Sequence, residues 1–507
     1  AAAEYFEGLG EADMIDVVAT HYMEAYNNSN KADEGAGLLA NRARDSLVAA
    51  ADRAGSLGSG AQALSLLEKA LGITDEGMER GRLLYKAGYA AGQGSRFDVA
   101  IEHLLAATEL LAQGDDNELL ARAQAQLGRT YFLSAKLEEA LQLVEAAVQE
   151  VQDPTGPAAA YLFTELARIQ FFNGEREKSD QAVAKGIAAA ERAENFALIA
   201  DCLITRALSA MVEGRTHECD ALLKGALRLS EQHGLVQQEL RALINICANE
   251  TQIDPNACMA TGLRGLERAR RFGSANTQVI LLLNMIEAAT RLGRWDWVRG
   301  VIDEADETLT NQYQLSNSLC GFEAFLGNID EAERHLSRYA AGMDPSSAQD
   351  NAVVIYQRAV IDFVKGDYER VLEASYALNL SDYLGIEITG IWGRSAVWAG
   401  DPLQVRKQLE FMDRTSLRNP WQKARRLTLE AGLAALEGDR DVAIERFTRT
   451  LAQWDALEIP LDKALCQMDF AHTVGGPEAA TAREEALAFF EDAGNEIFVN
   501  KLQMATR

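Results

Sequence analysis

The chain runs to 507 residues, 48% of them hydrophobic and 25% charged, with 49 Lys and Arg against 76 Asp and Glu for a formal charge of −27. That balance excludes a nucleic-acid partner, whose backbone demands clustered Lys and Arg, and no apolar run approaches the ~18–20 residues of a membrane span. Only 8 prolines interrupt the chain, so long helices meet few breakers and the composition is that of an all-α protein.

In chain order, Glu4, Glu7 and Glu11 punctuate the opening, where a signal peptide would place basic residues and then an apolar stretch. A cytoplasmic chain is therefore expected, with residues 1–40 as an N-terminal helical cap. From about residue 41 to 474 a short turn recurs between two apolar helices. Its anchors are Gly58, Gly174, Gly214, Gly293, Gly327, Gly366, Gly400 and Gly438. Their differences, 214−174 = 40, 366−327 = 39 and 438−400 = 38, bracket a helix-pair unit, and about eleven tandem units fit the segment.

Each anchor fixes the same local chemistry. Five, nine and twelve residues after it come a small or β-branched residue, a bulky one and usually a small one: Ala63, Leu67 and Ala70 after Gly58; Val298, Ile302 and Ala305 after Gly293; Ala443, Phe447 and Thr450 after Gly438. Two units keep the pattern without glycine, with Ala100, Leu104 and Ala107 after Ser95, and Ala140, Val144 and Ala147 after Ala135. Seven residues before the anchor stands a small residue, such as Gly88, Gly128, Ala167 or Ala359, which lets two helices approach closely. These spacings fall on one helical stripe that a single pair cannot bury, so neighbouring pairs must stack. The weakest unit spans Arg241 to Ala269, where Asp254-Pro255 replaces the glycine turn. Residues 475–507 are expected to form capping helices.

Cys202, Cys219, Cys247, Cys258, Cys320 and Cys466 are scattered without a C-x-x-C pair and read as buried free thiols. His217-Glu218-Cys219 is the nearest approach to a metal pair, yet zinc needs three or four ligands at set spacings. Glu138-Glu139 and Glu484-Glu485 fall on polar helix faces, where solvation keeps carboxylates ordinary. The glycine run Gly55-Ser56-Leu57-Gly58-Ser59-Gly60 lacks the lysine of a phosphate loop. No catalytic residue, cofactor or metal is expected. Trp297 and Trp421 are the two tryptophans read as candidate exposed contacts, the others as core.

Leu127-Gly128, Tyr131, Ala140, Val144, Ala147 and Pro154 resemble the tetratricopeptide consensus, which implies helix pairs stacked in a right-handed superhelical solenoid. Val18 to Tyr26, Arg42-Ala43-Arg44 and Ala51 to Gly58 resemble the junction after the ATPase domain of bacterial signalling proteins. In these an adenylate or guanylate cyclase domain precedes an AAA/STAND-type ATPase and a repeat array follows. Ala486 to Gly494 is similar to the end of such arrays and of LuxR-type ATPase regulators. The resemblance implies an upstream domain joined at the N-terminal cap, with any enzymatic activity residing there.

Three functions remain open on the sequence: a protein-binding scaffold, the sensor of a nucleotide-cycling enzyme, and a transcriptional regulator whose repeats bind an effector. In the first, a peptide or the upstream ATPase or cyclase domain lies in a concave groove lined by the first helix of each pair. Helical position places Asn245, Asn284 and Glu287 on that side, with Arg129, Glu165 and Arg168 adding charge selectivity in earlier units. Inward amides suit main-chain recognition, since an amide both donates and accepts.

Overall fold

The computed structural model describes residues 14–30, 34–75, 77–94, 96–304, 312–343, 348–375, 384–414 and 419–504, with Tyr5 and Pro345. Ser95 and Ala305, both part of the repeat pattern, lie outside the described residues. Among the described residues there is no β-strand, and no helix is long and apolar enough to cross a membrane. Helix α1 (Ile15–Asn27) precedes tetratricopeptide-like pairs. They begin α2 (Glu34–Ser56) with α3 (Gly60–Leu71), α4 (Met78–Gln93) with α5 (Phe97–Leu111), α6 (Asn117–Leu133) with α7 (Leu137–Glu150), and α8 (Pro157–Phe172) with α9 (Arg176–Arg192). Next come α10 (Phe196–Val212) with α11 (Thr216–Gln232), α12 (Val236–Ile253) with α13 (Pro255–Arg271), α14 (Ala275–Arg291) with α15 (Trp295–Glu304), and α16 (Leu315–Phe325) with α17 (Ile329–Gly342). The last are α18 (Ala348–Lys365) with α19 (Tyr368–Ser375), α20 (Leu384–Trp398) with α21 (Pro402–Arg414), α22 (Pro420–Leu436) with α23 (Arg440–Leu457), and α24 (Pro460–Thr473) with α25 (Ala480–Ala493). Helix α26 (Glu496–Met504) follows.

The turn inside each pair is set by its anchor. All eight anchor glycines hold a left-handed φ between 68° and 97°. The next residue's N–H then reaches back five residues, as Glu175 does to the Gln170 carbonyl and Asp439 to that of Ala434, both at 2.9 Å. This left-handed cap satisfies carbonyls that the helix end would otherwise leave open. Ala135 takes the same conformation at φ 60°, with Lys136 donating to Tyr131 at 2.9 Å. The α12–α13 turn is closed by a side chain instead: Asp254 accepts the Ala257 N–H at 3.0 Å ahead of Pro255 in the first helical turn.

The small residues sit where helices meet. A Cβ on Gly88 would lie 2.5 Å from the Leu104 side chain and one on Gly128 2.4 Å from that of Val144, so the first helix of a pair touches the second through its backbone. In α8 and α9 the same contact is polar, the buried Ser179 hydroxyl donating to the Ala167 carbonyl at 2.7 Å. The stripe is buried after Gly58, Gly174, Gly214, Gly327, Gly400 and Gly438, and Ala100, Leu104 and Ala107 are completely so; after Gly293, Val298 is buried and Ile302 half-buried. Truncating a buried leucine of this kind costs about 2–5 kcal/mol. All six cysteines are buried and free. Burial pushes the thiols of Cys219, Cys320 and Cys466 up to about 12. Trp297 is half-buried. Trp421 is no exposed contact: its side chain is fully buried, because Arg291 and Arg425 lie over its ring at 4.4 and 3.4 Å.

The chain forms two compact units. Unit 1 comprises Ala1–Arg206, Gln232–Leu235 and Arg271–Ser274; unit 2 comprises Ala207–Glu231, Val236–Arg270 and Ala275–Arg507. Within unit 2 the first helices curl back on themselves, so that α12 packs on α22 and α14 on α24.

Candidate functional site

The inner face of a first helix is set by distance from its anchor. In α8 the inner positions are Tyr161, Glu165 and Arg168, which lie 174−161 = 13, 174−165 = 9 and 174−168 = 6 residues before Gly174. Steps of four and three keep them on one stripe. The same register gives Arg122, Gln126 and Arg129 in α6, Val353, Gln357 and Val360 in α18, and Arg394 six residues before Gly400 in α20.

In unit 1 this register builds a strip of tyrosine and arginine. The Arg122 guanidinium lies over the rings of Tyr85 and Tyr161, 5.7 and 5.3 Å from their centroids, and Asn195 donates to the Tyr161 hydroxyl at 3.1 Å. Tyr89 is 41% exposed. Burial raises its phenol above the ordinary range while the neighbouring Arg129 pulls the other way. Glu165 and Arg168 are buried at the base of the strip, where Arg168 meets Glu165 at 3.0 Å and Asp201 of α10 at 3.1 Å. Burial works against the arginine's charge, but the two carboxylates outweigh it and hold its guanidinium above the usual value. Removing one partner of such a buried cluster costs about 3–5 kcal/mol. The cluster therefore fixes the spacing of α8 and α10.

In unit 2 the first helices α14, α16, α18, α20, α22 and α24 line a partly open cavity of 90 Å³. Its walls combine apolar side chains such as Phe322, Val360 and Leu461 with Asn317, Gln357, Arg394, Arg425 and Asp462. Two glycines make room for polar heads: a Cβ on Gly390 would lie 2.8 Å from the Arg425 Cζ, and one on Gly321 3.3 Å from the Gln357 Oε1. Gln357 gives its Nε2 to the Asn317 Oδ1 at 2.7 Å, and its buried Oε1 has no hydrogen-bond partner. Asp462 stands 3.7 Å from the Arg425 Nε, beyond hydrogen-bonding distance. Arg394 donates to the Asp469 Oδ2 at 2.6 Å, and the Trp398 indole holds the other oxygen at 2.6 Å. Burial raises the Asp469 carboxyl while Arg394 opposes it.

Of the residues read from the sequence as inward-facing, Glu287 lines this cavity and pairs with Arg291 at 2.6 Å. Asn284, one helical turn earlier, is half-buried, and its Nδ2 has no hydrogen-bond partner. Asn245 turns its amide back onto its own helix, donating to the Arg241 carbonyl at 2.8 Å. Glu165 and Arg168 come together in unit 1, with Arg129 one pair earlier near Tyr89. The cavity residues Gln357, Arg394, Arg425 and Asp462 escaped the sequence reading. The signal was present, since Arg129, Arg168 and Glu287 occupy the position of Arg394, six residues before the anchor.

Among the described residues no three His, Cys, Asp or Glu side chains group to hold a metal. No protein-family model matches the chain, and no curated protein does. Among solved structures it is similar to that titled the APC/C hetero-tetramer Cut9-Hcn1, at 12% identity over 92% of this chain and 96% of that one, with a TM-score of 0.47. It is also similar to yeast Tom70, at 12% identity over the same shares, with a TM-score of 0.31. Neither likeness says what this chain binds.

Proposed function

We propose that the chain is a non-catalytic repeat scaffold that binds a protein segment along the first helices of unit 1, as the sensor or scaffold part of a larger bacterial signalling ATPase or nucleotide cyclase. The observation that carries the binding role is the strip of Tyr85, Tyr89, Arg122, Arg129 and Tyr161. Tyrosine and arginine are, with tryptophan, the side chains most enriched as anchors of protein interfaces, because they bury much area and still hydrogen-bond. The Glu165–Arg168–Asp201 cluster beneath the strip supplies a rigid base. The bacterial signalling context rests on the resemblance of residues 18–58 and 486–494, and in it the first partner to try is the ATPase or cyclase domain. Within unit 2, taken by itself, Asn245, Asn284 and Glu287 are the candidate partner-facing residues.

The test is a purified partner, recovered by cross-linking from the source cells, titrated calorimetrically against the wild type and the double variant Tyr89→Ala, Arg129→Ala. Loss of two interface anchors should weaken binding by about 2 kcal/mol or more, whereas unchanged affinity in a folded variant would remove the strip from consideration. Saturable ATP turnover by the purified chain would end the non-catalytic reading. A second reading, an effector-binding regulator of LuxR type, is favoured by the cavity of unit 2.

A further inference from the structure

We propose that the strip of unit 1 binds an acidic segment in the polyproline II conformation, one that carries two Asp or Glu side chains three residues apart and lies along α6. This rests on the partner-binding reading of the strip and adds the chemistry of the partner. Two observations carry it: a pair of arginines without carboxylates on a face where the other cations have them, and the rings and amide set around that pair.

In α4 the inner places fall on Arg82, Lys86 and Tyr89, which stand 13, 9 and 6 residues before Ser95. The cations among them are paired, Lys86 with Asp52 at 2.7 Å and Arg82 with Glu79 and Asp116, both at 3.5 Å. In α8, Arg168 is held by Glu165 and Asp201. Arg122 and Arg129 of α6 are half-buried, and among the described residues neither has an ion-pair partner. The buried Nε of Arg122 has no hydrogen-bond partner either. Two carboxylates act on the strip from further off: Glu118, exposed one turn before Arg122, and Asp201, which Arg168 holds. A guanidinium partly withdrawn from water gains most from a carboxylate, which takes two parallel N–H donors. The chain's charge of −27 repels acidic segments at long range. Only a segment whose charges meet these two arginines offsets that repulsion, and selectivity follows.

The spacing of the pair sets the spacing of the acids. Arg122 and Arg129 are 129−122 = 7 residues apart, nearly two full turns, so both stand on one face with about 10 Å between them along the helix. A polyproline II segment turns once in three residues and rises about 9 Å in doing so, which puts side chains three apart on one side at that distance. The rings of Tyr85 and Tyr161 hold the Arg122 guanidinium, 5.7 and 5.3 Å from their centroids, so its orientation is set before a ligand arrives. Tyr89, 41% exposed, flanks Arg129. Gln126 is half-buried between the two arginines. Polyproline II leaves its own N–H and C=O groups without internal partners, and a side-chain amide both donates to and accepts from such groups. Aromatic rings beside them suit the same conformation.

The experiment selects short random peptides, displayed with a blocked C-terminus, on the whole chain and then screens each binder for loss of binding to the double variant Tyr89→Ala, Arg129→Ala. Peptides that depend on the strip should carry two acidic residues three apart. In a synthetic copy of the best one, replacing either acid by its amide should weaken Kd about tenfold, a comparison that needs no variant to fold. Arg129→Glu should lose that peptide, and a copy with lysine at the matching acid should bind the variant again. The proposal is overturned if strip-dependent peptides are apolar or basic, if neutralising either acid leaves Kd unchanged, or if the charge exchange restores nothing. Each of those results leaves the strip standing as a binding surface, whereas recovery of no strip-dependent peptide would sink the acidic partner and the strip together.

Discussion

Ala135 holds φ 60° where the glycine anchors hold the same turn. A Cβ in the left-handed region costs about 1–2 kcal/mol, against roughly 0.5–1 kcal/mol for the extra freedom that glycine surrenders on folding. Ala135→Gly should therefore stabilise α6 and α7 by about 0.5–1 kcal/mol, read as slower hydrogen exchange there. The converse change, Gly174→Ala, should loosen α8 and α9 by a similar amount, since an added Cβ meets nothing within 4 Å and only the backbone conformation is at stake. Faster exchange in Ala135→Gly would show that the turn is not strained. At this scale the sequence is legible because a left-handed turn is a local demand, visible as glycine at fixed intervals. Arg168 shows the limit: its role depends on Asp201, 33 residues away, and on the angle between two first helices that no local pattern encodes.

Helix α26 shows how one element can be fastened by its polar groups. Its N-cap Asn495 accepts the Phe498 N–H at 2.9 Å and donates to the Phe325 carbonyl at the end of α16. Lys501 donates to the Val364 carbonyl near the end of α18 at 2.9 Å and to the Tyr368 hydroxyl at 3.1 Å. Both side chains thus serve carbonyls that helix ends leave without an intrahelical donor. Burial lowers Lys501 from 10.5 to about 8 in the folded chain, with Asp367 opposing. Below pH 8 the lysine is charged in both states; between about 8 and 10.5 the unfolded chain binds more protons, so folding gains stability as pH rises through that window. The neutral amine keeps donors for both oxygens. Relative to Lys501→Met, which cannot titrate, the wild type should gain stability as pH rises from about 7 to about 10. A difference in denaturant midpoint that stays constant, or moves toward the variant, would contradict this. Nothing in residues 496–504 alone announces the latch, because its partners lie more than a hundred residues away, two of them main-chain carbonyls and the third the Tyr368 hydroxyl.

An array in which each repeat touched only its neighbours would unfold piecemeal, its stability a sum of adjacent interfaces. Unit 2 departs from that limit where α12 meets α22 and α14 meets α24. Helix packing angles accumulated over successive pairs bring those elements together, which is why the helix pairs can be read from the sequence and the closure around the cavity cannot. Trp421 is the side chain that makes the closure testable. Fully buried in α22, it lies under Arg291 of α14 and Arg425 of its own helix. Trp421→Ala should cost about 3–5 kcal/mol, the range for deleting a buried aromatic, and the loss should be shared across the closure. Hydrogen exchange is then expected to accelerate in α14 as well as in α20, α22 and α24, while α2 to α7 in unit 1 keep their protection. Acceleration confined to α22 and its sequence neighbours would mean that unit 2 behaves as a simple linear stack, and that Arg291 contributes nothing across the ring of first helices.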